Sequence, residues 1–167
     1  ANTADVEDLV DEIGNYQQWA TPLLQKIVTS EDSTPKKKLH ASLVLVTDDP
    51  SQVDLLFQRL LNAEADDVPV IVRFLKPHAG RIKKQLWRAI ETGSSIERLR
   101  AAAALAEYDS QDEQWKQACE DVVTALVSVP SSDSDEWIEM LRPVGGMLAN
   151  PLEQRFRNRS LERDTER

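Results

Sequence analysis

Two stretches of the chain that lie 60 residues apart resemble each other. The later stretch, Glu97 to Asp109, reads ERLRAAAALAEYD, and the earlier one, Lys37 to Asp49, reads KKLHASLVLVTDD. At the offset of 60, leucine, alanine, leucine and aspartate recur at the same relative positions. Both stretches have the composition of a helix and end in acidic residues. A helix that recurs at an interval predicts a repeat protein, in which neighbouring units bury each other's apolar faces.

Other parts of the chain support the same interpretation. Three further pairs of segments share residue types: Phe74–Pro77 with Met140–Pro143, Ala20–Ile27 with Ala149–Phe156, and Ser95–Arg98 with Ser160–Arg163. We therefore expect one helical-repeat domain of about five helix pairs over residues 1–159. Residues 160–167 are expected to be the truncated start of a further repeat, with disorder as an open alternative. An excerpt from a longer array would expose an apolar end face, through which the chain could self-associate.

The composition predicts helices throughout the chain. Glycine is scarce, with 5 residues, aromatic residues make up 5%, and no long alternating strand pattern occurs. About ten helices joined by short turns are expected. The first covers residues 5–16, the second opens at Thr21-Pro22, and the last runs from about Met147 to Arg157. The fold class is therefore predicted to be all-α, with stacked antiparallel helix pairs in an α-solenoid.

The repeated stretches also resemble a known family. The run PKKKLHASLVLVTDDPSQVDLLFQRLL, with RLRAAAALAEYD further on, resembles HEAT-like α-helical repeats. It is most similar to the repeat region of large bacterial multi-domain proteins, which accompanies a serine/threonine kinase domain or a sulfatase-modifying type domain. The resemblance covers nearly the whole chain and implies a solenoid that serves as an interaction platform. It implies no catalysis here, because the kinase glycine-rich loop and the H-R-D and D-F-G motifs are absent.

Charge and cysteine content narrow the class of partner. The net charge of −9 disfavours nucleic-acid binding over the whole surface. The single cysteine, Cys119, excludes an internal disulfide and is consistent with a reducing compartment such as the cytoplasm. Because Cys119 lies on the apolar stripe of a predicted helix, we expect a buried structural cysteine. No apolar run approaches the roughly 18 residues of a membrane span, so no membrane association is expected.

No group of side chains predicts catalysis, a metal site or a cofactor. His40 and His78 are far apart, and no metal-ligand spacing connects them with each other or with the cysteine. The acidic residues at 48, 49, 66, 67, 133, 135 and 136 precede predicted helices, where capping and the helix dipole explain them. A nucleophile motif and a phosphate-binding glycine loop are both missing. The segment is therefore predicted not to be an enzyme and to bind no cofactor.

Positive charge is concentrated in the middle of this acidic chain. The basic cluster consists of eight cations: Arg73, Lys76, Arg81, Lys83, Lys84, Arg88, Arg98 and Arg100. Arginine clusters suit acidic or phosphorylated ligands, although a solvated surface also explains such a pattern. Trp87 is expected to be exposed, because Leu86 and Ile90 already supply the apolar side of its helix. The candidate interaction surface therefore comprises Arg73, Lys76, Arg81, Lys83, Lys84, Trp87 and Arg88.

Three functions remain open from the sequence. The favoured hypothesis is a non-catalytic helical-repeat segment that serves protein–protein interaction or scaffolding in a larger, serine/threonine kinase-related bacterial protein. Its partners would be another protein or flanking domains of the same chain. The alternative is a binder of nucleic acid or of phosphorylated or acidic ligands through the basic cluster, although the acidic remainder disfavours nucleic acid. The third is an enzyme with a site between helices.

Overall fold

The fold was examined in a computed structural model of the chain. It describes the backbone of residues 17–130 and 134–165, and the side chains of residues 19–130 and 134–157. Within these ranges every regular element is a helix, which confirms the all-α class. The elements are eight α-helices of at least eight residues, one α-helix of seven residues and three 3-10 turns. This number differs from the expected ten, and the first expected helix, residues 5–16, lies outside the described residues.

The nine described α-helices follow one another through short connections. In chain order they are α1 (Gln17–Thr29), α2 (Pro35–Leu45), α3 (Gln52–Leu61), α4 (Val68–Leu75), α5 (Ala79–Thr92), α6 (Ser95–Tyr108), α7 (Trp115–Leu126), α8 (Ser134–Met140) and α9 (Gly145–Thr165). The 3-10 turns, Ala65–Asp67, Lys76–His78 and Arg142–Val144, directly precede α4, α5 and α9. The chain divides into two compact units, residues 1–82 and 83–167.

In the first unit, helices that are consecutive in the chain pack on each other. Helix α2 packs on both α1 and α3, and α3 packs on α4. The amphipathic pattern of α3 places Val53, Leu56 and Leu60 on one face, and all three are fully buried. The apolar stretch of α4, although rich in valine and isoleucine, is helical as expected, and it buries Ile71 and Leu75. The core of this unit is therefore built largely from aliphatic side chains, together with the buried Phe57.

In the second unit, α6 packs on α7 and α8, and α7 also packs on α9. Its largest fully buried side chains include Trp115 of α7, Trp137 of α8, and Leu99 and Leu105 of α6. Both tryptophans are therefore packed between helices. The shortest helix, α8, is thus anchored by one large aromatic side chain.

Helices α2 and α6, which carry the two similar stretches, begin and are buried in the same way. The hydroxyls of Thr34 and Ser94 accept hydrogen bonds from backbone N–H groups three residues later, at 3.3 Å and 3.4 Å. Seven positions at the offset of 60 are buried in both segments: Leu39, 41–45 and the C-cap residue Val46 at α2, and Leu99 and 101–106 in α6. Six consecutive residues extend around the full circumference of a helix. Each of these helices is therefore covered on all sides over this segment.

The helix start expected at Thr21-Pro22 is wrong, because Pro22 lies inside α1. Pro151 of the matching segment lies inside α9, within the helix expected from about Met147. An interior proline removes one backbone hydrogen bond and usually destabilises a helix by about 3 kcal/mol or more. Packing of α1 on α2 and of α9 on α7 holds these helices together across the prolines.

Two other expected boundaries also differ. Helix α9 continues to Thr165 instead of ending near Arg157 before a new start at Ser160. No glycine or proline between residues 152 and 165 would end it. Pro77 lies in the 3-10 turn after α4, and Gly80 lies inside α5.

The buried hydroxyl of Ser42 provides a test of the matched packing of α2 and α6. Ser42 is 0% exposed, and among the residues that the structure describes its Oγ has no hydrogen-bond partner. The equivalent residue of α6 is the buried Ala102. Because an unsatisfied buried hydroxyl is destabilising, Ser42→Ala should raise the free energy of unfolding by about 1 kcal/mol. Urea denaturation followed by far-UV circular dichroism measures this change.

The reciprocal substitution serves as the matched control. Ala102→Ser places a hydroxyl at a position that is also 0% exposed, and it should lower the free energy of unfolding by about 1–3 kcal/mol. A decrease in stability for Ser42→Ala would show that the Ser42 hydroxyl is satisfied in solution, and would contradict the expected equivalence.

Candidate interaction surface

In the first unit, Arg81 of the basic cluster binds groups of the protein itself. The Arg81 guanidinium donates to Asp54 Oδ2 on α3 at 2.5 Å and to the Pro50 carbonyl at 3.1 Å. These bonds join the start of α5 to the start of α3 and offset the charge of Arg81. Arg73 and Lys76, also in this unit, are exposed.

In the second unit, Lys83 is held between two carboxylates. Its Nζ pairs with Asp109 and, at 2.7 Å, with Asp112. The hydrogen bond with Asp109, followed by that with Asp112, raises the pKa of Lys83, and the bond from Lys83 lowers the pKa of Asp112. Trp115 Nε1 also donates to the Asp109 carbonyl, at 3.0 Å. These contacts tie α5 to the segment between α6 and α7.

The expectation that Trp87 is exposed is wrong. Its side chain is only 6% exposed. Its ring packs edge-on against that of Trp115, with the centroids 5.2 Å apart and the planes at 74°. The buried face of α5 is wider than Leu86 and Ile90 alone, because Trp115 of α7 covers the adjoining side of the helix. Trp87 is therefore a core residue and cannot contribute to an interaction surface.

The remaining cations of the second unit differ in how they are engaged. Arg98 lies 3.6 Å from Asp121 and donates to the Glu91 carbonyl at 3.2 Å, and Arg100 is half-buried. Lys84 and Arg88 are exposed one helical turn apart on α5. Neither forms an ion pair with any other described residue.

The cysteine and several acidic residues have structural roles. Cys119 is free and 5% exposed, as expected, and burial raises the pKa of its thiol. Asp49 accepts hydrogen bonds from the Ser51 N–H and the Gln52 side chain, both at 3.0 Å, at the start of α3. The bonds from Ser51, followed by that from Gln52, lower the pKa of Asp49. In the described ranges no three potential metal ligands come together, and no helix has the length and apolarity needed to cross a membrane.

Exposed apolar side chains occur at both ends of the described chain. On α1, Trp19 and Leu23 lie one turn apart and are 79% and 66% exposed. Trp19 is therefore not packed between helices. On α9, Phe156 is also largely exposed. The expected self-association through an exposed repeat end stays a prediction.

A polar cleft lies between α7 and α9, and the sequence did not predict it. Its volume is about 350 Å³, and it is lined by Glu120, Val123, Thr124, Pro151, Gln154 and Arg155. Val123 is buried and forms an apolar part of the wall, whereas Glu120 and Arg155 are exposed. The two contributing segments are 31 residues apart for the Thr124–Arg155 contact, and no motif connects them. Only the packing of α9 on α7 brings them together.

Comparison with known proteins finds no relative of the chain. No family model, no curated protein and no solved structure matches it. The resemblance to HEAT-like repeats therefore stays a prediction from the residues quoted above.

The ion pairs of Lys83 predict a pH-dependent contribution to stability. Lys83→Met keeps most of the aliphatic stem but removes the charge, and it should lower the urea midpoint at pH 7. The lowered pKa of Asp112 gives stability that is present above its unfolded value of about 3.9 and is lost as the pH falls. The raised pKa of Lys83 gives stability that is present below about pH 10.4 and is lost at higher pH.

The difference between wild type and Lys83→Met should therefore be largest between about pH 5 and 9, and should shrink at pH 3. Urea midpoints measured across this pH range test the expectation. Lys84→Met is the matched control, because Lys84 is exposed and pairs with no described carboxylate. Equal effects of the two substitutions at pH 7 would show that the pairing of Lys83 adds nothing.

Proposed function

We propose that the chain is a non-catalytic, HEAT-like helical-repeat segment that serves protein–protein interaction or scaffolding. It would belong to a larger bacterial protein of the kind that carries a serine/threonine kinase domain. Its partners would be a second protein or the flanking domains of its own chain. The solenoid arrangement of antiparallel helix pairs is part of this proposal.

The observation that carries the proposal is the matched burial of α2 and α6. Both begin at a hydroxyl cap, and seven positions at an offset of 60 residues are buried in both segments, the last of them in the first segment being the C-cap residue Val46. A helix that is covered on all sides needs neighbours on more than one face. Stacked helix pairs supply such neighbours to every unit in turn, and they leave long outer surfaces for binding.

The use of polar side chains supports a role without catalysis. Glu97 accepts from the Ser94 N–H at 2.8 Å and completes a capping box, and the bonds from Ser94 lower the pKa of Glu97. Asp49 is likewise engaged at a helix start, and Asp54 and Asp109 bind cations of the same unit. These charged groups stabilise helix ends and connections.

Cross-linking of the full-length protein tests the interaction role. We expect a lysine-reactive cross-linker to join exposed lysines of this segment, such as Lys36, Lys84 and Lys116, to lysines outside the 167 residues. Mass spectrometry identifies the linked peptides, and the isolated chain under the same conditions is the control. If all links of these lysines ended within the segment, the proposal that it contacts partners or flanking domains would be rejected.

The alternative, a binder of nucleic acid or of phosphorylated or acidic ligands, retains one supporting observation. Lys84 and Arg88 are exposed one turn apart and pair with no described carboxylate. The double variant Lys84→Glu/Arg88→Glu should then weaken binding of a labelled single-stranded oligonucleotide or phosphopeptide by about tenfold or more at low salt. Fluorescence polarisation measures this change.

The matched control for that experiment is Lys36→Glu/Lys37→Glu, which changes the net charge equally at two exposed positions of α2. If the two double variants lose binding equally, or if the wild type does not bind, the alternative function as a binder of nucleic acid or of phosphorylated or acidic ligands is rejected. A loss confined to the α5 variant would favour it.

A further inference from the structure

We infer that the cleft between α7 and α9 binds a peptide segment of a partner protein that carries an acidic and a basic side chain close together. This inference rests on the proposed interaction function and names the chemistry of one partner. Arg155 would bind the carboxylate of the partner, and Glu120 would bind its cation. The six residues that line the cleft contribute both charges and apolar contacts.

The Arg155 guanidinium is held in place by a neutral group. Its Nη1 donates to Thr124 Oγ1, and the Thr124 hydroxyl donates to the Glu120 carbonyl at 2.7 Å. Because a hydroxyl has one hydrogen, this second bond leaves an oxygen lone pair for Arg155. A guanidinium has five N–H donors, so most of them stay available to a carboxylate. Anchoring also reduces the conformational entropy that binding would cost.

The absence of a carboxylate partner among the described residues distinguishes Arg155 from four other arginines. Four arginines pair with acidic side chains: Arg81 with Asp54, Arg98 with Asp121, Arg142 with Glu139, and Arg157 with Glu153. Among the described residues, Arg155 has no carboxylate and Glu120 no cation within ion-pair distance. The two opposite charges line the same cleft without pairing with each other. Both are therefore available to a ligand.

The lining favours a bipolar peptide over other ligands. Glu120 and the net charge of −9 repel phosphate groups, which disfavours nucleic acid and phosphopeptides at this site. Arg155 in turn repels a purely cationic ligand. Val123 and Pro151 offer apolar contacts to the methylene groups of long side chains. A volume of about 350 Å³ lies at the small end of the ~300–1,000 Å³ range of ligand pockets, and it suits side chains better than a cofactor.

Peptide selection tests the inference directly. A phage-displayed random peptide library is selected on the full chain, and the enriched peptides should contain an acidic and a basic residue at a fixed spacing. Arg155→Gln should weaken their binding by about tenfold or more, and Glu120→Gln should also weaken it. Replacing the peptide's acidic residue by its amide should weaken binding to the wild type but should change binding to the Arg155→Gln variant little further. Glu113→Gln is the control, because Glu113 is exposed outside the cleft and pairs with Lys116 at 3.6 Å.

The possible outcomes separate the two proposals. If Arg155→Gln and Glu120→Gln leave the binding of the enriched peptides unchanged, the inference that the cleft is the binding site is wrong, while the proposed interaction function is unaffected. If no peptide is enriched, the inference that the cleft binds a peptide is wrong. Cross-linking of the full-length protein would then test the proposed interaction function separately. Free glutamate and lysine added together should not compete at millimolar concentration; efficient competition would indicate a small-molecule site instead. Circular dichroism and urea midpoints identify any variant that loses its fold.

Discussion

The fold depends on the complete enclosure of α2 and α6. A typical surface helix buries one stripe, but α2 buries five consecutive residues and α6 buries six. Such burial requires neighbours on all sides, and it permits only apolar or small residues along the segment. In α6 the run Ala101–Ala104 meets this demand with minimal volume, whereas α2 uses larger residues such as Leu43 and Val44. Charged residues and capping groups are consequently confined to the helix ends.

Because charged residues lie at the helix ends, several cations of this acidic chain pair with carboxylates at the ends of neighbouring helices. Lys83 binds Asp109 and Asp112 just beyond the end of α6, and Arg81 binds Asp54 in the first unit. Exposed ion pairs contribute little individually, but one ammonium between two carboxylates forms a network with a fixed geometry. Much of the basic cluster therefore stabilises connections between helices. A sequence-level concentration of positive charge does not by itself identify a binding surface.

The sequence predicts features that depend on local or periodic chemistry. The helix over the earlier of the two similar stretches and the burial of Cys119 are predicted correctly, because helix propensity and apolar spacing act within one helix. Trp87 is misjudged because the residue that covers it, Trp115, belongs to another helix. Pro22 is misjudged because packing between helices overrides the usual role of proline as a helix start. The cleft lined by Glu120 and Arg155 is not predicted, because it forms only where α9 packs on α7 and no sequence motif indicates that contact.

The same distinction indicates where the specificity of a repeat platform would reside. In the matching segments of α1 and α9, a glutamine and a cation follow the proline and leucine: Gln25-Lys26 in one and Gln154-Arg155 in the other. In a repeat protein, residues that pack between neighbouring repeats must be similar from one repeat to the next. A residue that faces outward can differ without disturbing the stacking. Arginine, but not lysine, can bind a carboxylate through two parallel N–H bonds. The change from Lys26 to Arg155 would therefore alter what the surface recognises while leaving the repeat itself unchanged.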